Sequence, residues 1–219
     1  MSGTRTSGQI DPARITVLAG VNGSGKSSLM GEHLLDKGVN YFNPDVCTRQ
    51  LMKLDPRMTL EEANSAAWKM GRDQLIKAIS TKASYAFETT LGASTMPRLL
   101  KEASQAGLEV AMWYCGLESP ELNMQRVASR VAKGGHDIPE NKIRARWDSS
   151  RENLIRLLPF LTELKLFDNS AEATEETGFA PSPIMLLHIQ RGKLIYQIKK
   201  VPDWAKPIIL AAMVNARAV

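Results

Sequence analysis

Arg14-Ile15-Thr16-Val17-Leu18-Ala19-Gly20-Val21-Asn22-Gly23-Ser24-Gly25-Lys26-Ser27-Ser28 is the stretch that decides the fold. Its first part is a short apolar run with β-branched residues, the pattern of a buried strand, and helical character follows over Ser28 to Lys37. Between them Gly20 to Ser27 fits G-x-x-x-x-G-K-[ST] without a mismatch. The glycines let the backbone curl so that successive N–H groups aim at phosphate oxygens, and the start of the helix adds its partial positive charge there. Lys26 is then expected to bridge the β and γ phosphates of ATP. Ser27 is expected to offer its hydroxyl to Mg²⁺, a hard cation that binds through phosphates, water and few protein ligands. The expected ATP-binding residues are thus Gly20, Val21, Asn22, Gly23, Ser24, Gly25, Lys26, Ser27 and Ser28. The motif serves water, small molecules, proteins and nucleic acids alike as acceptors, so the acceptor must be sought elsewhere.

Outward from this loop the chain alternates strand and helix. Val39 to Phe42 reads as a short strand. Thr59 and Glu62 form a capping box ahead of a long amphipathic helix carrying Leu60, Ala63, Ala67, Met70, Leu75 and Ile79. Ala83 to Phe87 reads as a strand, Pro97 to Ala106 as a helix ended by Gly107, and Leu108 to Tyr114 as a strand. Ser119-Pro120-Glu121 opens a helix running to about Lys133, and Pro139-Glu140 opens another through Leu157 after the Gly134-Gly135 break. Leu164 to Phe167 resembles a strand, Ile184 to Ile189 with Leu194 to Ile198 a β-hairpin, and a terminal helix follows Asp203. Such alternation implies a mainly parallel sheet covered by helices: an α/β P-loop NTPase sandwich with a helical lid over 119–157 and a C-terminal hairpin. The whole chain is expected to be one domain, with residues 1–12 as a loose tail.

Composition narrows the class. The 219 residues are 43% hydrophobic and 23% charged, enough to bury a core and too apolar for a disordered chain. No apolar run reaches the roughly 18 residues needed to span a bilayer, and no export signal opens the chain, so a cytoplasmic protein is expected. Cys47 and Cys115 stand far apart without metal-ligand spacing and are expected to be buried, reduced thiols. The net charge of +5 favours anionic partners only weakly.

Ligands of such sheets bind at the carboxyl ends of the strands, and two acidic positions fall there. Asn43-Pro44-Asp45 follows the second expected strand. The proline holds a rigid turn and Asp45 is placed to take the proton of an attacking hydroxyl, with a helix cap or turn residue as the competing reading. Glu88-Thr89-Thr90 closes the third strand. A carboxylate ending an apolar strand is uncommon unless it meets a ligand, a metal shell or a basic partner.

Arginines crowd the lid segment. Arg126 and Arg130 share one helix face, and Arg144 and Arg151 share a face of the next helix, while Arg146 and Arg156 lie in the same segment. Guanidinium forks closing over a phosphoryl group stabilise its spread charge and expel water. Arg126, Arg130 and Arg144 are therefore the expected lid phosphate-binding residues. A solvated helix surface with Glu121, Asp148 and Glu152 as partners competes with that reading for any one of them. His136, Trp113 and Trp147 are read as structural, Trp147 being the better placed of the tryptophans to stack on a base.

Taken in order, the P-loop, Asn43-Pro44-Asp45, Phe87-Glu88-Thr89-Thr90-Leu91 and the Arg126/Arg130 helix leading into Gly134-Gly135-His136-Asp137-Ile138-Pro139 resemble the zeta toxin-like kinases over about residues 14–170. The best-studied members phosphorylate the 3′-hydroxyl of the amino sugar in UDP-N-acetylglucosamine. The resemblance implies that Asp45 is the catalytic base, that Lys26 is the phosphate-binding lysine, and that Glu88, with Thr89 beside it, contacts the acceptor. It also implies an antitoxin partner. The Gly-Gly-His-x-x-Pro segment resembles a chromosomal branch of the family, so the lid arginines do not map one for one onto the better-known branch. The C-terminal hairpin lies outside the stretch that carries the resemblance.

Two other functions fit the same loop. One is a kinase for another hydroxyl, such as an antibiotic or metabolite as in chloramphenicol phosphotransferase-like proteins, or a nucleic-acid 5′-hydroxyl. Nucleic acid ranks low because no aromatic cluster accompanies the arginines. The other is a non-catalytic nucleotide-dependent switch, which the lack of a motor-type acidic strand end beyond Phe87-Glu88 disfavours.

Overall fold

The computed structural model describes residues 12–27, 31, 40–135, 137–172 and 181–217. The expected tail except for Pro12, the helix expected over Ser28 to Lys37 except for Gly31, and His136 lie outside the described residues. The described elements are β1 (Arg14–Ala19), α1 (Pro44–Leu54), α2 (Leu60–Thr81), β2 (Tyr85–Thr89), α3 (Thr95–Gln105), β3 (Glu109–Gly116), α4 (Pro120–Ala132), α5 (Glu140–Leu157), β4 (Glu163–Asp168), β5 (Ile184–Gln190), β6 (Lys193–Gln197) and α6 (Lys206–Arg217).

The six strands form one sheet in the order β2-β1-β3-β4-β5-β6. The first four are parallel, and the C-terminal hairpin adds to β4 antiparallel. Ile15, Val17, Val110, Met112, Leu164 and Leu166 are fully or almost fully buried in one core with apolar residues of α2, α3, α5 and α6. Parallel strands covered in this way must be apolar nearly throughout, which is why β1 and β3 read as runs rather than alternations. The buried Tyr114 hydroxyl meets Ser150 Oγ at 3.0 Å and pins β3 to α5; burial pushes its pKa up to about 12. Among the described residues no helix is long and apolar enough to cross a membrane.

Helix ends follow local chemistry. The capping box at α2 is present, with the Thr59 hydroxyl accepting from Glu62 N–H and Glu62 accepting from Thr59 N–H at 2.8 Å. Ser119 caps α4 ahead of Pro120. Two expectations need correction. Of the strand expected over 39–42, the described part is a single parallel bridge from Phe42 to Phe87, because the chain turns at once into the Asn43 cap of α1. The next strand runs two residues further than expected, to Thr89, so Glu88 lies within it.

Candidate active site

The loop from Gly20 to Lys26 sits between β1 and a helix that begins at Lys26. Gly20 and Gly23 have φ of +147° and +84°, values that a side chain disfavours. A Cβ at Gly20 would overlap the Cys115 carbonyl, and one at Gly23 would stand 2.6 Å from the Asn123 carbonyl oxygen. The loop is pressed against β3 and α4 and then strapped there. Asn123 Nδ2 donates to the Asn22 carbonyl at 2.7 Å. The Ser24 carbonyl accepts from both Asn169 Nδ2 at 2.9 Å and the Cys115 thiol at 3.0 Å. Burial pushes the Cys115 thiol up to about 12, which keeps the proton that makes this bond. With these carbonyls engaged on the outside, the buried Ser24 Oγ has no hydrogen-bond partner among the described residues.

β2 lies directly beside β1, with Leu18 opposite Glu88. That register delivers a carboxylate to the loop. Glu88 is only 4% exposed and its Oε1 accepts from the Ser27 hydroxyl at 3.0 Å, with Lys26 Nζ at 3.3 Å. Its Oε2 accepts from Asn43 Nδ2 at 3.0 Å. A hydroxyl and a carboxylate are hard oxygen donors, so Ser27 and Glu88 fit Mg²⁺. Thr89, also expected at the acceptor, lines the same cavity, and its hydroxyl accepts from Leu91 N–H at 3.1 Å.

Asp45 stands in the first turn of α1 with its side chain 32% exposed, and Arg130 Nη1 lies 3.8 Å from its Oδ2. Asp45, Lys26, Glu88 and Thr89 share a cavity of about 740 Å³, a volume suited to a cofactor or small-molecule ligand. Its far wall is one face of α2, carrying Glu61, Asn64, Ser65 and Trp68 at helical spacing. Sequence patterning assigned none of these to a site, because it followed the apolar stripe of the same helix.

The arginines expected to form a lid separate. Arg130 reaches Asp45, whereas Arg126 donates to the Ala171 carbonyl at 3.1 Å. Arg144 does not line the cavity: it pairs with Glu121 at 2.5 Å, and Arg151 pairs with Asp148 at 2.8 Å, both on carboxylates of the helix surface. Arg151 also lies over the Trp147 ring, 3.3 Å from its centre, so that face of the ring is taken. The arginine that enters the cavity is Arg146, whose Nη1 donates to Asn22 Oδ1 of the loop at 2.8 Å. Burial holds its pKa below the ordinary value, and Asp45 offsets only part of that. A signal was present: Arg146 shares its helix face with Ile143, Ser150, Asn153 and Leu154, all buried, and a cation within a buried stripe needs a reason to be there. Ser28, expected to bind ATP, lies outside the described residues.

The family described as an AAA domain matches residues 15–157 of this chain. An uncharacterized protein of Haemophilus influenzae is 30% identical over 128 residues, 58% of this chain and 88% of that protein. Among solved structures, a chain of the AvrRxo1-ORF1:-ORF2 complex with ATP superposes on 92% of this chain with a TM-score of 0.62 at 15% identity. This chain spans 63% of that one's length. A chain from the PezAT chromosomal toxin-antitoxin system of Streptococcus pneumoniae covers 98% of this chain and 90% of its own length, with a TM-score of 0.53 at 13% identity. At these identities the likeness is one of fold. Fold and loop together are those of a P-loop NTPase.

Proposed function

This chain belongs to the AAA domain family, and from that premise we propose that it is an ATP- and Mg²⁺-dependent phosphotransferase that moves the γ-phosphoryl group of ATP onto an alcohol hydroxyl of a small molecule. The observation that carries this reading is the meeting of Lys26, Ser27 and Glu88 within 3.0–3.3 Å at the head of a cavity that Asp45 also lines. Asp45 accepts the proton of the attacking hydroxyl as its oxygen bonds to phosphorus and the bond to the ADP oxygen breaks. Lys26 and Arg146 stand on the loop side of the cavity, where negative charge spreads over the transferring group. Arg130 Nη1, 3.8 Å from Asp45 Oδ2, helps to orient that carboxylate. Mg²⁺ would be held by the Ser27 hydroxyl and Glu88 and would neutralise charge on the phosphates.

Within this reading the acceptor is UDP-N-acetylglucosamine or a similar sugar nucleotide. Support comes from the motif resemblance to zeta toxin-like kinases and from the fold shared with a chain of a toxin-antitoxin system. The α2 wall, with Trp68, Asn64 and Ser65, offers an aromatic ring and polar groups to such an acceptor. An antitoxin-type protein partner belongs to the same proposal, since one structural relative named above is a chain of a two-protein complex and the other comes from a toxin-antitoxin system.

The test is transfer of label from γ-labelled ATP with Mg²⁺ to UDP-N-acetylglucosamine, run beside Asp45→Ala and Lys26→Ala. Wild type should transfer. Asp45→Ala should lose about 10²–10⁴-fold in rate with ATP affinity unchanged, and Lys26→Ala should lose both. ATP binding without label on the sugar nucleotide removes this acceptor, and an Asp45→Ala enzyme at the wild-type rate removes the base.

A further inference from the structure

We propose that Asn43 is a positioning residue, whose amide ties the Glu88 carboxylate to the first turn of α1 and so sets where Asp45 stands relative to Lys26 and Ser27. The inference rests on the phosphotransferase reading above. Asn43 Oδ1 accepts from Asp45 N–H at 2.9 Å and Val46 N–H at 3.2 Å, while Nδ2 donates to Glu88 Oε2 at 3.0 Å. Pro44 has no N–H, so the first donor that α1 can present is that of Asp45 itself, and Asn43 takes it. On the other side of Asn43 the backbone is already fastened to β2, with Phe42 N–H donating to the Ala86 carbonyl at 2.8 Å and Glu88 N–H donating to the Phe42 carbonyl at 2.9 Å.

A cap alone does not require asparagine. Ser, Asp and Thr cap helices about as well, but a hydroxyl is too short to span both partners, and a carboxylate would stand against Glu88 with like charge. The asparagine amide has the reach to accept from the helix and donate to the carboxylate at the same time. One side chain therefore links the loop's carboxylate to the turn that holds the base. The link is short, partly buried and without a rotatable surface arm, unlike the Arg130 contact with Asp45.

Asn43→Ser separates the two roles, because serine keeps the cap and removes the bond to Glu88. With UDP-N-acetylglucosamine as acceptor, kcat should fall on the order of 10–100-fold, as when groups that orient a reacting ligand are removed, with KM for ATP and the thermal midpoint near wild type. Asn43→Ala should show the same loss of kcat and a lower midpoint. In the Glu88→Ala background Asn43→Ser should cost little further kcat, so the losses are strongly non-additive, since the carboxylate that Asn43 holds is already gone. Asn43→Ser with wild-type kcat, or additive losses, overturns the inference and leaves a helix cap. Wild type that binds ATP but labels no sugar nucleotide counts against the proposed acceptor instead. The crystal structure of Asn43→Ser then decides: displacement of Asp45 from Lys26 supports positioning, and an unmoved Asp45 overturns it.

Discussion

The loop from Gly20 to Lys26 touches both arginine-bearing helices, α4 through Asn123 and α5 through Arg146, yet loop and arginines are held by different kinds of bond. The loop is fixed by its own backbone: buried Asn123, Asn169 and Cys115 donate to its carbonyls, and glycines let it approach β3 and α4 closely. The arginines are fixed by their tips, on exposed carboxylates such as Glu121 and Asp148 or on the Ala171 carbonyl. Surface pairs of this sort are weak and readily exchanged. A loop built from buried backbone bonds arrives prepared for phosphate, whereas long side chains on a helix surface can choose a new anion when one appears. Arg146 is the intermediate case, a residue of α5 already bonded to the loop through Asn22.

This contrast can be broken at several points. Arg146→Ala is expected to lower kcat by about 10²-fold, the cost of removing one donor aimed at developing charge, which steady-state transfer assays would show. An unchanged kcat would leave the transferring group without this arginine. Gly23→Ala tests the other side. A side chain at φ of +84° adds about 1–3 kcal/mol of strain and crowds the Asn123 carbonyl, so ATP affinity measured by calorimetry should drop about tenfold or more while the sheet stays folded.

A smaller effect should appear in the stability profile with pH. Burial pushes the Glu163 carboxyl up, but Lys165 and Arg14 more than offset this and hold it below its ordinary 4.5. A carboxylate lowered in the folded state contributes stability that is present above that value and lost as pH falls through the folded pKa. The thermal midpoint should therefore decline as pH is taken below about 4.5, and Glu163→Gln should flatten that decline. Smallest of all is Arg144→Ala, which should leave both kcat and midpoint at wild-type values. A clear loss of kcat would show that Arg144 abandons Glu121 for the substrate.

The same contrast explains what could be read in advance. Strand, glycine loop and helix start around Gly20 to Ser27 follow from backbone chemistry that is local in the chain, so their residues announce them. Helix starts at Thr59 and Ser119 were legible for the same reason, since a cap needs only neighbours three or four residues away. That Glu88 would meet Ser27 and Lys26 depends on β2 lying beside β1 in one register, which no local spacing encodes. The choice between Arg144 and Arg146 was harder still. They are two residues apart on α5, on nearly opposite faces, and only the rotation of that helix against the sheet decides which one enters the cavity. The four residues of α2 that form the far wall were hidden by a related ambiguity, as the helix buries one face and offers the next to the cavity.

The Cys115 thiol, bonded to the Ser24 carbonyl and retaining its proton to about pH 12, gives the molecule a stopwatch of its own. Alkylating reagents consume thiolate, so a modified Cys115 records an instant when the loop let go of β3 and water reached the sulfur. Read with and without ATP, that clock would report how firmly the bound nucleotide holds the loop shut, with no acceptor needed at all.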